Sequence, residues 1–135
     1  MINLLKESKK GCNSIFSSFA IFPTGEMAAC CGLSVSQIEH FKLGNIKTNN
    51  VKSLYESQYK AFINLWIRID GPYKILEYLT VKEPKIKKFS INHSCQMCNY
   101  LFNNEMIRDV ISKYYAEKIP EILFKYHIQK KLQNI

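Results

Sequence analysis

At 135 residues and 15.8 kDa the chain has room for one ordinary domain, which excludes a catalytic barrel carried together with an accessory module. Hydrophobic residues at 47% and charged residues at 22% describe a chain that packs a core, and a chain of this size folds without a disulfide staple, so its five cysteines need another use. The formal charge of +8 is spread thinly, at +2 over residues 1–12, +1 over 13–81, +3 over 82–88 and +2 over 104–135, which argues against a nucleic-acid partner.

The chain opens on MINLLKESKKGC, whose apolar core is too short for a signal peptide, and no later run approaches the roughly 20 residues of a membrane span. A cytoplasmic protein without a membrane partner is expected. Ile15 to Leu33 reads as a β-hairpin: an apolar run from Ile15 to Phe22, the turn Pro23-Thr24-Gly25, and a return strand from Glu26 to Cys31. Gly44-Asn45 predicts a loop, after which Thr48-Asn49-Asn50 can cap a helix. That helix carries Val51, Leu54, Tyr55, Tyr59, Phe62, Ile63, Trp66 and Ile67 at spacings of three and four. Gly71-Pro72 ends it, and Pro72 opens a shorter helix with Tyr73, Leu76 and Leu79 on one face. Val81 to Phe89 is a lysine-rich connector broken by Pro84, leading through Ser90 to Ser94 into Cys95 and Cys98. Asn103 or Asn104 caps a helix bearing Met106, Ile107, Val110, Ile111 and Tyr114, and Pro120 begins another with Leu123 and Tyr126 or His127. The expected architecture is α+β: one domain over residues 1–135, with a small cysteine-bearing hairpin or sheet packed against several helices.

An odd number of cysteines without a secretion signal argues against a disulfide framework and for thiolates as metal ligands. Cys12 and Cys30 form C-x17-C, within which Gly25 and Cys30 form G-x4-C. Cys95-Gln96-Met97-Cys98 is a compact C-x2-C. Two pairs far apart in sequence can make one S4 site, suited either to zinc or to an iron-sulfur cluster. A zinc ribbon usually brings two short knuckles, whereas one pair here is split across a hairpin, and widely set sulfurs suit a larger cluster. Cys31 follows Cys30, and adjacent strand residues point to opposite faces, so Cys31 is a core or reserve thiol and only an alternative ligand.

Cys12, Gly25 and Cys30 fit the C-x(9 to 15)-G-x4-C signature of SPASM and twitch domains, the auxiliary iron-sulfur modules of many radical SAM enzymes. The text around them is also similar: Phe19 to Glu26, Ala29-Cys30-Cys31-Gly32, Leu43 to Ile46, and Cys95 to Cys98. The resemblance covers about residues 11–104 and leaves 105–135 as a helical extension. No cysteine follows Cys98, as in the one-cluster twitch form, and the C-x3-C-x2-C triplet of the catalytic cluster is absent. The resemblance implies one [4Fe-4S] cluster on Cys12, Cys30, Cys95 and Cys98, serving electron transfer or substrate positioning beside a partner that bears the catalytic barrel, with a peptide as the expected substrate. This chain alone is not expected to be catalytic. The other reading is a zinc-stabilised module that binds an acidic protein or nucleic acid.

Charge compensation for such a cluster is expected from Lys9, Lys10, Lys85, Lys87 and Lys88, which lie near the cysteines in sequence. His93 reads as a polar loop residue rather than a ligand, His40 and His127 as surface positions, and Trp66 as helix core rather than a base-stacking platform.

Overall fold

A computed structural model describes residues 10–87 and 93–134. The hairpin turn falls where Pro23-Thr24-Gly25 puts it. Strand β1 (Ala20–Ile21) pairs antiparallel with β2 (Glu26–Ala28), with Ala20 opposite Ala28 and Ile21 opposite Met27. The Gly25 N–H donates to the Phe22 carbonyl at 2.8 Å, and its φ of +87° is the conformation glycine supplies without steric cost. The first strand is much shorter than predicted, because residues 13–18 turn instead of extending. Ser18 N–H donates to Ser14 O at 3.0 Å, while Arg68 Nη1 donates to the carbonyls of Asn13 (2.6 Å) and Ile15 (3.1 Å). Those bonds satisfy in a turn the backbone groups that a ladder would otherwise pair.

Residues predicted as a loop around Gly44-Asn45 instead form β3 (Lys42–Asn45), antiparallel to β2, with an irregularity in register between Met27 and Ala28. Glycine is needed there: Gly44 sits at φ +136°, and a Cβ would meet Leu54 Cδ2 at 2.8 Å. The sheet order is β1-β2-β3.

Asn50 caps α1 (Val51–Ser57) as predicted, its Oδ1 accepting from the N–H groups of Lys52 (2.9 Å) and Ser53 (3.3 Å). The predicted single helix through Ile67 is broken, with a 3-10 turn at Gln58–Lys60 and an extended Ala61 before α2 (Phe62–Ile69). Buried Asn64 holds the break, since its Nδ2 donates to the Gln58 carbonyl at 2.8 Å and its Oδ1 lies 2.9 Å from His40 Nε2. Apolar spacing alone cannot show a helix interrupted by a side chain from the next turn. Helix α3 (Gly71–Lys82) has Pro72 in its first turn, as expected.

Helix α4 spans Ser94–Asn103, and α5 runs Glu105–Gln133, capped by Asn104, whose Oδ1 accepts from Ile107 N–H at 3.2 Å. The two helices predicted on either side of Pro120 are one 29-residue helix. Proline removes one donor and disfavours the helix interior, but side chains clamp the axis on both sides of it. Before Pro120, Glu117 accepts from Tyr78 Oη at 3.0 Å and pairs with Lys82; after it, Lys125 Nζ reaches Asp70 Oδ1 at 2.9 Å.

The core lies between these helices and the sheet, around Trp66, Ile67, Ile75, Leu79, Met97, Leu101, Ile107 and Ile122. Trp66 is fully buried and donates from Nε1 to Asp70 Oδ2 at 3.2 Å, so it is a core residue. The architecture is α+β, with the small sheet beside the helical layer. No helix among the described residues is long and apolar enough to cross a membrane.

Candidate functional site

Cys12 enters the site beside the corner between α2 and α3. A Cβ on Gly11 would lie 2.0 Å from the Arg68 carbonyl oxygen and 2.6 Å from that of Ile69, and one on Gly71 would lie 2.1 Å from the Lys10 carbonyl oxygen. The chain therefore fits that slot only because both positions are glycine. Once seated, Cys12 N–H donates to Ile67 O at 3.0 Å, and the two Arg68 bonds hold the turn that follows.

Cys30 leaves the end of β2, where Ala29 N–H donates to Phe41 O at 2.8 Å. Its sulfur accepts a hydrogen bond from the Gly32 backbone. A Cβ on Gly32 would come within 2.9 Å of Cys95 Sγ and 3.6 Å of Cys30 Sγ, so the missing side chain is what lets these two sulfurs approach. Cys95 and Cys98 lie within the first five residues of α4. Spacing of three residues puts both on one helix face. His93 caps the helix, its Nδ1 accepting from Cys95 N–H at 3.1 Å.

Cys12, Cys30, Cys95 and Cys98 all line one recess. Its walls are apolar, from Ile15, Val35, Ile38, Phe41 and Pro72, and Ser14, Ser34 and Ser94 add hydroxyls. Cys31 points elsewhere: it is exposed, and its Sγ lies 3.4 Å from Ser18 Oγ. Among the described residues neither a lysine nor a carboxylate lines the recess. Lys10, Lys85 and Lys87, expected to compensate cluster charge, are not among the residues of these walls; Lys9 and Lys88 lie outside the described residues. His40 stacks on Phe102 with ring centroids 4.7 Å apart, and His127 is exposed on α5.

Burial pushes the Cys30 thiol up to about 11 against the opposing Gly32 hydrogen bond, with added repulsion from Cys12, Cys95 and Cys31. Cys98 is also pushed up, first by burial and then by Cys12, Cys95 and Cys30. The sulfurs thus sense one another's charge inside a poorly solvated space. Four thiolates coexist there only around a cation, and soft thiolates in apolar surroundings suit a thiolate-bound metal centre.

Sequence reasoning did not find Gly11, Arg68 or the three serines. Glycine beside each hairpin cysteine was the available signal for Gly11 and Gly32, whereas nothing in the spacing marks Arg68, which acts across more than fifty residues.

The sequence model of the SPASM family, described as an iron-sulfur cluster-binding domain, matches residues 12–99. No curated protein and no solved structure matches the chain.

Proposed function

The chain belongs to the SPASM family of iron-sulfur cluster-binding domains, and from that premise we propose that it holds one [4Fe-4S] cluster through Cys12, Cys30, Cys95 and Cys98. The carrying observation is that four thiols from three separated segments line a single recess while the fifth does not. The family match to an iron-sulfur cluster-binding domain favours a cluster over a single zinc at these thiols.

With the cluster bound, the group supplies one-electron redox capacity. The residues around it seat it, exclude water and donate from the Gly32 backbone to a sulfur. With Cys12 as a ligand, four thiolates would be available to four irons and none would be left open to a substrate, which supports electron transfer over direct substrate ligation. Because the chain has no C-x3-C-x2-C triplet, the reading assigns radical chemistry to a barrel-bearing radical SAM partner in the cytoplasm, acting on a peptide.

The test is anaerobic reconstitution with iron, sulfide and zinc assayed on one sample. About four irons and four sulfides per chain with thiolate-to-iron absorption are expected. Stoichiometric zinc in a colourless protein overturns the reading in favour of the zinc module.

A further inference from the structure

A second cavity, of about 180 Å³, adjoins the turn that follows Cys12. One wall is that turn and the 3-10 turn after α1, where Phe16 stacks on Tyr59 with ring centroids 4.5 Å apart and planes 17° apart. The opposite wall is one face of the last turns of α5, where Tyr126, Gln129, Lys130 and Gln133 recur at spacings of three and four. Arg68 forms part of the lining.

Two features set this cleft apart from an ordinary surface groove. Phe16 is the one non-glycine among the described residues with positive φ, at 67°. Tyr55 Oη donates to its carbonyl at 2.5 Å, and Arg68 holds the carbonyl of Ile15 just before it. These bonds hold Phe16 in the left-handed region with its ring flat against that of Tyr59 at the cleft wall. The charge is also one-sided. Arg68 and Lys130 both line the cleft, and neither has a carboxylate partner among the described residues. Lys130 Nζ lies 4.9 Å from the Tyr126 ring centroid, and Arg68 donates only to neutral carbonyls. Two further cations of α5 are already paired: Lys125 with Asp70 and Glu121, and Lys118 with Glu121.

We propose that this cleft binds an acidic peptide segment, whose carboxylate pairs with Arg68 and Lys130 and whose neighbouring apolar side chain lies on the Phe16–Tyr59 stack. Carboxylate is the natural partner of a guanidinium with free donors. The two glutamine carboxamides project from a helix face and offer both donor and acceptor to a peptide backbone, which a bare oxyanion does not use. A phosphate site is the less favoured reading, because its usual cradle of glycine-rich backbone N–H groups is not part of the lining. The proposal is independent of cluster identity, although Arg68 links the cleft to the turn after Cys12.

The test is calorimetric titration of the reconstituted full chain with an acetylated and amidated Glu-Glu-Phe-Glu peptide, its Gln-Gln-Phe-Gln counterpart and inorganic phosphate. The acidic peptide binds, the neutral one binds at least tenfold more weakly, and Lys130→Glu weakens the acidic peptide at least fivefold. Lys113→Glu, an equal charge change elsewhere on α5, leaves binding within twofold. Visible absorption reports cluster content in each sample, so loss of the cluster and loss of peptide binding are read separately. Equal binding of the two peptides, equal effects of the two lysine variants, or phosphate binding without peptide binding each overturn the proposal.

Discussion

Gly11→Ala puts the seating of Cys12 to a direct test. The added Cβ would stand 2.0 Å from the Arg68 carbonyl oxygen and 2.6 Å from that of Ile69. Both neighbours are backbone at the end of a packed helix, so neither can swing aside as a side chain would. Reaching ordinary contact requires the Gly11–Cys12 segment to withdraw by about 1.5 Å. That displacement removes the bond from Cys12 N–H to Ile67 O, about 1 kcal/mol, and adds about 1–3 kcal/mol of overpacking if the segment resists. Its functional effect should exceed its stability effect, because a sulfur moved by that distance would no longer meet the proposed cluster on Cys30, Cys95 and Cys98. Gly11→Ala should therefore reproduce Cys12→Ala in iron content, in loss of visible absorption on exposure to air and in electron paramagnetic resonance of the reduced protein. The double variant should be no worse than either single one, as expected for two changes that remove one interaction. Wild-type iron content and air stability in Gly11→Ala would refute the account of how Cys12 is held.

Cys30→Ala and Cys98→Ala should each abolish cluster retention, whereas Cys31→Ala, outside the recess, should keep most of it; equal iron loss in all three variants would overturn the ligand set. Asp70→Asn removes the charge that joins Trp66 Nε1 to Lys125. Because Lys125 is partly solvated, the expected loss is about 2 kcal/mol in denaturant unfolding, below that of a fully buried pair. Glu117 is held below the usual carboxylate range by its bonds to Lys82 and Tyr78, and Glu121 by its bonds to Lys118 and Lys125. Depressed folded-state values mean that their contribution is complete above the ordinary glutamate pKa of about 4.3 and fades as pH falls through the lower folded values. A Glu117→Gln, Glu121→Gln double variant should thus lose less melting temperature than wild type as pH falls from about 5 to about 3.

The site was more legible in the sequence than the backbone that builds it. Cysteine spacing and the hairpin glycine single out four thiols, and the structure gathers those four around one recess and leaves Cys31 at the surface. The errors have a common physical cause. Ile15 to Ser18 looks like strand, Gly44-Asn45 like a loop, Tyr55 to Ile67 like one helix, and Pro120 like a helix start. Each is decided by a partner distant in sequence: Arg68 for the first, the edge of β2 and Leu54 for the second, Asn64 acting with His40 for the third, and the Glu117 and Asp70 clamps for the last. Local periodicity carries no information about such partners. Caps, by contrast, depend only on near neighbours, and Asn50 and Asn104 act where the sequence places them.

Among the described residues no lysine lines the recess, and that changes what is expected of the proposed cluster. A [4Fe-4S] core with four thiolates is anionic, and reduction adds a further negative charge. Nearby lysines would have eased that step and raised the potential. The described walls instead offer apolar side chains, serine hydroxyls, the Gly32 N–H to Cys30 and the N-terminal turn of α4. Neutral dipoles stabilise added charge less than ammonium groups do, so the potential should fall in the lower part of the range open to such clusters. Replacing Lys10, Lys85 and Lys87 together by glutamine should shift the midpoint by less than about 30 mV, half of the shift that marks a tenfold change in a one-electron equilibrium. A drop much larger than that would place those lysines close enough to act on the cluster and would return charge compensation to the residues named from sequence proximity. A small shift leaves the potential to the recess itself, whose apolar walls favour a low-potential electron donor over an acceptor.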